Sequence, residues 1–291
     1  METLKIKNKN CEVEVLNNNL KSLNVTKNDI EYKLIAFDPN NYVISFIMAP
    51  WVNRIEDGKF ECEKGVFNLL DNHPLGRNFN HAIHGTMLFA EWDLINHEEN
   101  YIELSSSVLK PWPFKSQIKS RFKLLENKLR QELTIINHDN YVMPYSLGWH
   151  PWFNRSLGSE DLVIKFDSDF KWEIKNEIPT SKKIISDEIS KFKKGYAPGI
   201  DTLDDCYKLK SNSKVILKWP EINLNINSSK ECRHLTVYTP PPGINENYIC
   251  VEPQTSTINS FQLENKKIEE NGTLFLIPSE SKTIFTEWEW W

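Results

Sequence analysis

Glycine is scarce in this chain, ten of 291 residues, and fifteen prolines complete a composition that excludes collagen-like and low-complexity classes. No apolar run is long enough to cross a bilayer, since the longest, around 43–52, is broken by Ser45 and Pro50. The first ten residues mix charges and lack the apolar stretch of a secretory signal. The five cysteines, Cys11, Cys62, Cys206, Cys232 and Cys250, are odd in number and form no C-x-x-C pair. A disulfide framework or four-thiolate zinc site is therefore not expected, and the cytoplasm is the expected compartment. Basic residues are in deficit, 35 Lys and Arg against 40 Asp and Glu, a net charge of −5. That balance argues against nucleic-acid and anionic-membrane partners. The hydrolase elbow G-x-S-x-G, the phosphate loop G-x-x-x-x-G-K-[ST], the dinucleotide fingerprint G-x-G-x-x-G and the zinc helix H-E-x-x-H are all missing.

Aromatic side chains are plentiful, with fifteen Phe, ten Trp and nine Tyr. That load suits a broad β-sheet core and a carbohydrate site. Period-2 alternation recurs along the chain. In Glu221 to Asn227, Ile222, Leu224 and Ile226 share one face and three asparagines take the other. Near the C-terminus Ile284, Trp288 and Trp290 oppose Glu287 and Glu289. Further short runs at 42–48, 101–108, 162–166, 215–219, 235–238, 248–251 and 273–277 predict an all-β sandwich or barrel. Residues 114–136 contain good helix formers. Yet Ile118, Phe122 and Leu124, then Leu129, Leu133 and Ile135, alternate with charged or polar residues around a turn at Asn127-Lys128. A hairpin fits better. A helix is expected at 181–194, where Ile185, Ile189 and Phe192 recur at i, i+4 and i+7. No repeat or linker divides the chain, so one domain over 1–291 is expected.

Chemistry is sought among seven histidines and the carboxylates. His81 and His84 are three apart but have no carboxylate nearby to complete a metal triad, so no metal is expected. His150 lies in Leu147-Gly-Trp-His-Pro-Trp-Phe153, and Glu252 in Tyr248-Ile-Cys-Val-Glu-Pro253. Each precedes a proline, which biases it to extended backbone and fixes its side-chain direction. Desolvation between Val251 and Pro253 would raise the Glu252 pKa and make it a better base near neutrality. The aromatic neighbours of His150 suit a poised acid. The plain alternatives are an exposed strand-end glutamate and a core histidine bonded to a carbonyl.

The order of these segments is informative. Asn53-Arg-Ile55, Ala82-Ile-His-Gly85 with Trp92, Gly148-Trp-His-Pro-Trp-Phe153, Asp204-Asp-Cys-Tyr207 and Cys250-Val-Glu-Pro-Gln-Thr255 succeed one another along the chain. In this the sequence resembles the aldose 1-epimerase, or galactose mutarotase-like, family over roughly residues 30–290. The resemblance implies a large antiparallel β-supersandwich with few short helices. It implies Glu252 as catalytic base and His150 as catalytic acid, with Arg54, His84 and Asp204 binding sugar hydroxyls and with no cofactor. Asp205 stands beside Asp204, and a slip of one residue would exchange them. Either Trp149 or Trp152 could face the sugar. Relatives acting on hexose 6-phosphates carry Arg soon after the H-G motif. Here Thr86 to Glu91 has no Arg or Lys, which favours a free aldose, although Arg77 on another loop remains a candidate phosphate partner. The expected activity is interconversion of α and β anomers. The alternatives are a hexose-6-phosphate 1-epimerase and a non-catalytic carbohydrate-binding or sensing domain.

Overall fold

The structure is a computed structural model that describes residues 2–70, 80–158, 160–211 and 213–291. His73 and Arg77 lie outside the described residues. The chain forms an all-β, antiparallel supersandwich with short helices at Asp187–Lys194 and Ser260–Asn265. One eight-stranded sheet runs in the spatial order Asp93–Glu98, Tyr101–Ser107, Ser116–Leu125, Lys128–Asn137, Ser281–Trp290, Asn223–Ser228, Val215–Lys218 and Val163–Lys165. A second runs Ile178–Ile184, Ser168–Lys175, Asp204–Leu209, His234–Tyr238, Tyr248–Gln254, Gly148–His150 and Phe46–Met48, with Trp152–Asn154 also paired to Tyr248–Gln254. Inward-facing side chains of both sheets join one buried cluster, including Leu104, Ile118 and Trp288 from the first and Val237, Ile249 and Val251 from the second.

The alternation read from the sequence is the mechanism of this layering. Along Ser281–Trp290, Ile284, Thr286, Trp288 and Trp290 are buried while Phe285, Glu287 and Glu289 are only partly covered. The 114–136 hairpin is present, with its turn one residue earlier, between Leu125 and Lys128. The expected helix at 181–194 is half right. Residues 181–184 belong to the strand Ile178–Ile184, and the helix begins at Asp187. Ile189 and Phe192 are buried as the apolar stripe demands, but Ile185 is exposed. Pairing with Ser168–Lys175 captures the first part of that segment and shortens the helix. The four-stranded meander Leu4–Asn8, Cys11–Leu16, Asn19–Lys27 and Ile30–Lys33 lies almost wholly before the motif-bearing segment. Its second strand buries Cys11, Val13 and Val15 alternately, a signal that is present in the sequence.

Among the described residues no helix is long and apolar enough to cross a membrane. All five cysteines are free thiols, four of them buried.

Candidate active site

The strand Tyr248–Gln254 sends Ile249 and Val251 into the sandwich core and turns Cys250, Glu252 and Gln254 to the opposite face. Its register pairs Gly148 with Gln254 and Trp152 with Cys250. Continuing that register sets His150 opposite Glu252. Between the two pairs the ladder is interrupted, because Pro151 and Pro253 have no amide N–H to donate. Gly148 is required beside this gap, since a Cβ there would lie 2.8 Å from the Gln254 Cβ. The result brings His150 Nε2 to 3.4 Å from Glu252 Oε1.

Both residues are deeply covered, Glu252 being 1% and His150 7% exposed. Burial, then the Asp204 carboxylate, pushes the Glu252 carboxyl well above the ordinary range. Burial pushes His150 down to about 4. Removing charge from water penalises the ionised form of each, so burial favours an uncharged carboxyl beside an uncharged imidazole, a pair that carries one proton. Glu252 Oε2 is buried without a hydrogen-bond partner. Phe46 stacks on the His150 ring at 4.7 Å between centroids, and His84 meets that ring edge-on at 4.9 Å.

Two short strands, Arg54–Ile55 and Ala82–Ile83, pair with each other; Arg54 lies in the first and His84 directly follows the second. His84 has a left-handed φ of 59° and donates its amide to the Asn53 carbonyl at 2.9 Å. Gly85 comes next at φ +71°, where a Cβ would sit 1.9 Å from the Ala49 carbonyl oxygen. Only glycine permits that approach, which explains the H-G pairing read from the sequence. Strain of this kind in a non-glycine residue such as His84 is typical of functional positions. Arg54 Nη1 donates to Asp204 Oδ2 at 3.4 Å and to Asn53 Oδ1 at 3.3 Å, and Nη2 donates to Glu177 Oε1 at 3.4 Å. Burial raises the Asp204 pKa, and Arg54 opposes the rise.

These groups surround a cavity of about 370 Å³ lined by all five sequence-predicted residues, Arg54, His84, His150, Asp204 and Glu252. That size lies within the ordinary range for small-molecule sites, roughly 300–1,000 Å³. The structure separates Asp204 from its neighbour. Asp205 points away, to Lys171 Nζ at 3.2 Å and to the Tyr207 hydroxyl. It also separates the tryptophans: Trp152 lines the cavity, whereas Trp149 belongs to the main core. Asn53, Tyr42, Phe46 and Tyr238 complete the walls and were not singled out from the sequence. Asn53 sits in the N-R-I motif itself. Phe46 and Tyr238 lie on strands as core aromatics do, which hides their role, whereas Tyr42 is an exposed turn residue with a left-handed φ of 58°. His81 and His84 do not converge, because His81 Nδ1 accepts from the Asp57 amide at 3.0 Å while His84 faces the cavity. The ligating atoms of His150, Cys250 and Glu252, by contrast, all lie within 4.8 Å of one another.

The sequence profile of aldose 1-epimerases matches residues 2–286, nearly the whole chain. The protein belongs to the aldose 1-epimerase family. The structure agrees in fold with an aldose epimerase homologue from C. elegans, at TM-score 0.82 and 15% identity, covering 100% of this chain and 98% of that one. It is also similar to a galactose mutarotase-like protein from Clostridium acetobutylicum, at TM-score 0.80 and 20% identity, covering 99% and 94%. Among curated proteins, the uncharacterised YphB of Escherichia coli K12 is 24% identical over 112 residues, which span 37% of this chain and 36% of that protein. The family match begins at residue 2, so the N-terminal meander is part of the epimerase fold and the resemblance extends beyond the 30–290 span read from motifs.

Proposed function

We propose that the protein is an aldose 1-epimerase that interconverts the α and β anomers of a free aldose, and that it folds as one domain to do so. The observation that carries this reading is the buried His150–Glu252 pair at 3.4 Å on the floor of the cavity. Opening a cyclic hemiacetal removes the proton of the anomeric hydroxyl and protonates the ring oxygen. One base and one acid must therefore reach two atoms of the same ring. The chemistry starts from the charged form of the pair, with its one proton on His150: Glu252 takes the hydroxyl proton as the C–O ring bond breaks, and His150 gives its proton to the ring oxygen. The aldehyde rotates about its bond to the adjacent carbon. Reclosure on the other face returns both protons, so the pair ends as it began. No oxidant, metal or cofactor enters this balance.

Arg54, His84 and Asp204 bind sugar hydroxyls and fix the ring, contributing through positioning. Trp152, Tyr238 and Phe46 offer apolar faces to the C–H side of the sugar. The charge of the site favours an unphosphorylated substrate. Among the described lining residues Arg54 is the sole Lys or Arg, and it already faces Asp204 and Glu177. A phosphate dianion would also meet the Asp204 carboxylate.

The test is NMR exchange spectroscopy of anomers over a panel of aldoses and hexose 6-phosphates, with wild-type and Glu252→Gln protein. Acceleration of a free aldose that disappears in the variant is the expected result. Acceleration confined to phosphosugars would make the protein a hexose-6-phosphate epimerase. Line broadening from binding without acceleration would leave a carbohydrate-binding domain on an epimerase fold.

A further inference from the structure

Cys250 has no part in the acid–base scheme, yet it shares a strand face with Glu252, two residues away. Its side chain lies behind the cavity floor, packed with Ala36, Val43 and Trp152, and is fully buried. His150 reaches the same place from the neighbouring strand. One nitrogen, one sulfur and one carboxylate oxygen therefore converge within 4.8 Å. We infer that this cluster binds a soft divalent cation, zinc or cadmium, through His150, Cys250 and Glu252, and that the bound ion arrests sugar exchange.

The donor set fits. Zinc accepts imidazole, thiolate and carboxylate together, and three protein ligands with an open fourth position describe an accessible zinc site. Tetrahedral zinc at ordinary bond lengths holds its ligand atoms about 3.5 Å apart. His150 Nε2 and Glu252 Oε1 are already 3.4 Å apart. The ion enters from the cavity, which His150 and Glu252 line, and the sulfur closes the site from behind. The unpartnered Glu252 Oε2 supplies a further buried acceptor. On binding, the Cys250 thiol loses its proton to solvent as the sulfur–metal bond forms, and the proton shared by the acid–base pair leaves as well. No redox change is involved. The ion then occupies the oxygen that takes the anomeric proton and the nitrogen that gives one back. Arrest of exchange thus rests on the epimerase reading above, whereas metal binding does not.

The experiment titrates metal-free protein with cadmium, monitored by the ultraviolet thiolate-to-cadmium charge-transfer band, and with zinc by calorimetry. Wild type, Cys250→Ser and a Cys62→Ser control are compared, Cys62 being the partly exposed thiol. One cadmium per chain is expected, with the band present in wild type and the control and lost in Cys250→Ser. Zinc affinity in Cys250→Ser should fall at least about tenfold. Zinc should suppress anomer exchange in wild type, and Cys250→Ser should need about ten times more. Absence of a thiolate band in wild type, or equal zinc affinity in Cys250→Ser, would overturn the inference. Should Cys250→Ser not fold, X-ray absorption of zinc-loaded wild type decides the matter, because a zinc shell without sulfur excludes the site. Failure of wild type to exchange any sugar would remove the epimerase reading, and the titrations would still decide metal binding.

Discussion

Glu252 holds its proton to a higher pH folded than unfolded, because burial penalises the carboxylate. As pH rises past the ordinary carboxyl value of 4.5, the unfolded chain loses that proton first, so folding is progressively disfavoured until the raised folded value is passed. Glu252→Gln removes this liability. It should cut anomer exchange by about two to four orders of magnitude, leave sugar affinity within about tenfold, and raise the melting temperature at pH 7. Thermal melts across pH check the last point, and an unchanged pH dependence would count against the buried carboxyl. His150 carries the opposite sign. Its folded value is near 4 against 6.5 when free, so stability is lost as pH falls through that interval. A pair that works with one proton predicts enzyme-dependent exchange that falls on the acid side near pH 4, where a second proton is taken up, and on the alkaline side once the raised Glu252 carboxyl ionises, read from rate against pH. A His150→Asn variant with wild-type turnover would remove His150 as the acid. At this scale the sequence is informative where proline or glycine fixes direction, as at His150, Glu252 and His84. It leaves Asp204 and Asp205 open because adjacent strand residues face opposite sides, and only the register with Tyr238 and Val237 assigns each to its side.

The turn carrying His84 is a small element with a strict requirement. Gly85 lies against the Ala49 carbonyl, and the Thr86 amide donates to that same oxygen at 2.9 Å. Gly85→Ala must displace the His84–Thr86 turn from the Ala49 backbone and should destabilise the protein by about 3 kcal/mol or more. It should also impair exchange in whatever folded protein remains, as denaturant melts and exchange spectroscopy would show. Strands with strict alternation, such as Ser281–Trp290, are legible from the sequence because each inward residue is buried by the same sheet face. The segment 178–194 is less legible. Its apolar residues satisfy a helical stripe and a strand ladder alike, and pairing with Ser168–Lys175 decides between them. Phe46 and Tyr238 are invisible as cavity walls for a related reason: nothing local distinguishes a strand aromatic that faces a ligand from one that faces the core.

At the scale of the whole molecule, the proposed preference for a free aldose rests on the charge around the cavity. With Arg54 already engaged by Asp204 and Glu177, a phosphate meets no unpaired cation among the described lining residues and faces the Asp204 carboxylate. The kcat/KM for a hexose 6-phosphate should lie at least about tenfold below that for the parent hexose, measured by the same exchange method. The order of strands within each sheet has no counterpart in the sequence, since pairing between distant segments leaves no local pattern. That order gives Ser281–Trp290 a particular part in assembly. It lies between Lys128–Asn137 and Asn223–Ser228, in the middle of an eight-stranded sheet. Both neighbours precede it in the chain, so until Ser281–Trp290 is made the central slot stays unfilled, with apolar faces and ladder edges uncovered. Such long-range closure folds slowly and exposes aggregation-prone edges meanwhile. A chain cut before Ser281 would therefore leave two facing ladder edges unpaired in the middle of the sheet.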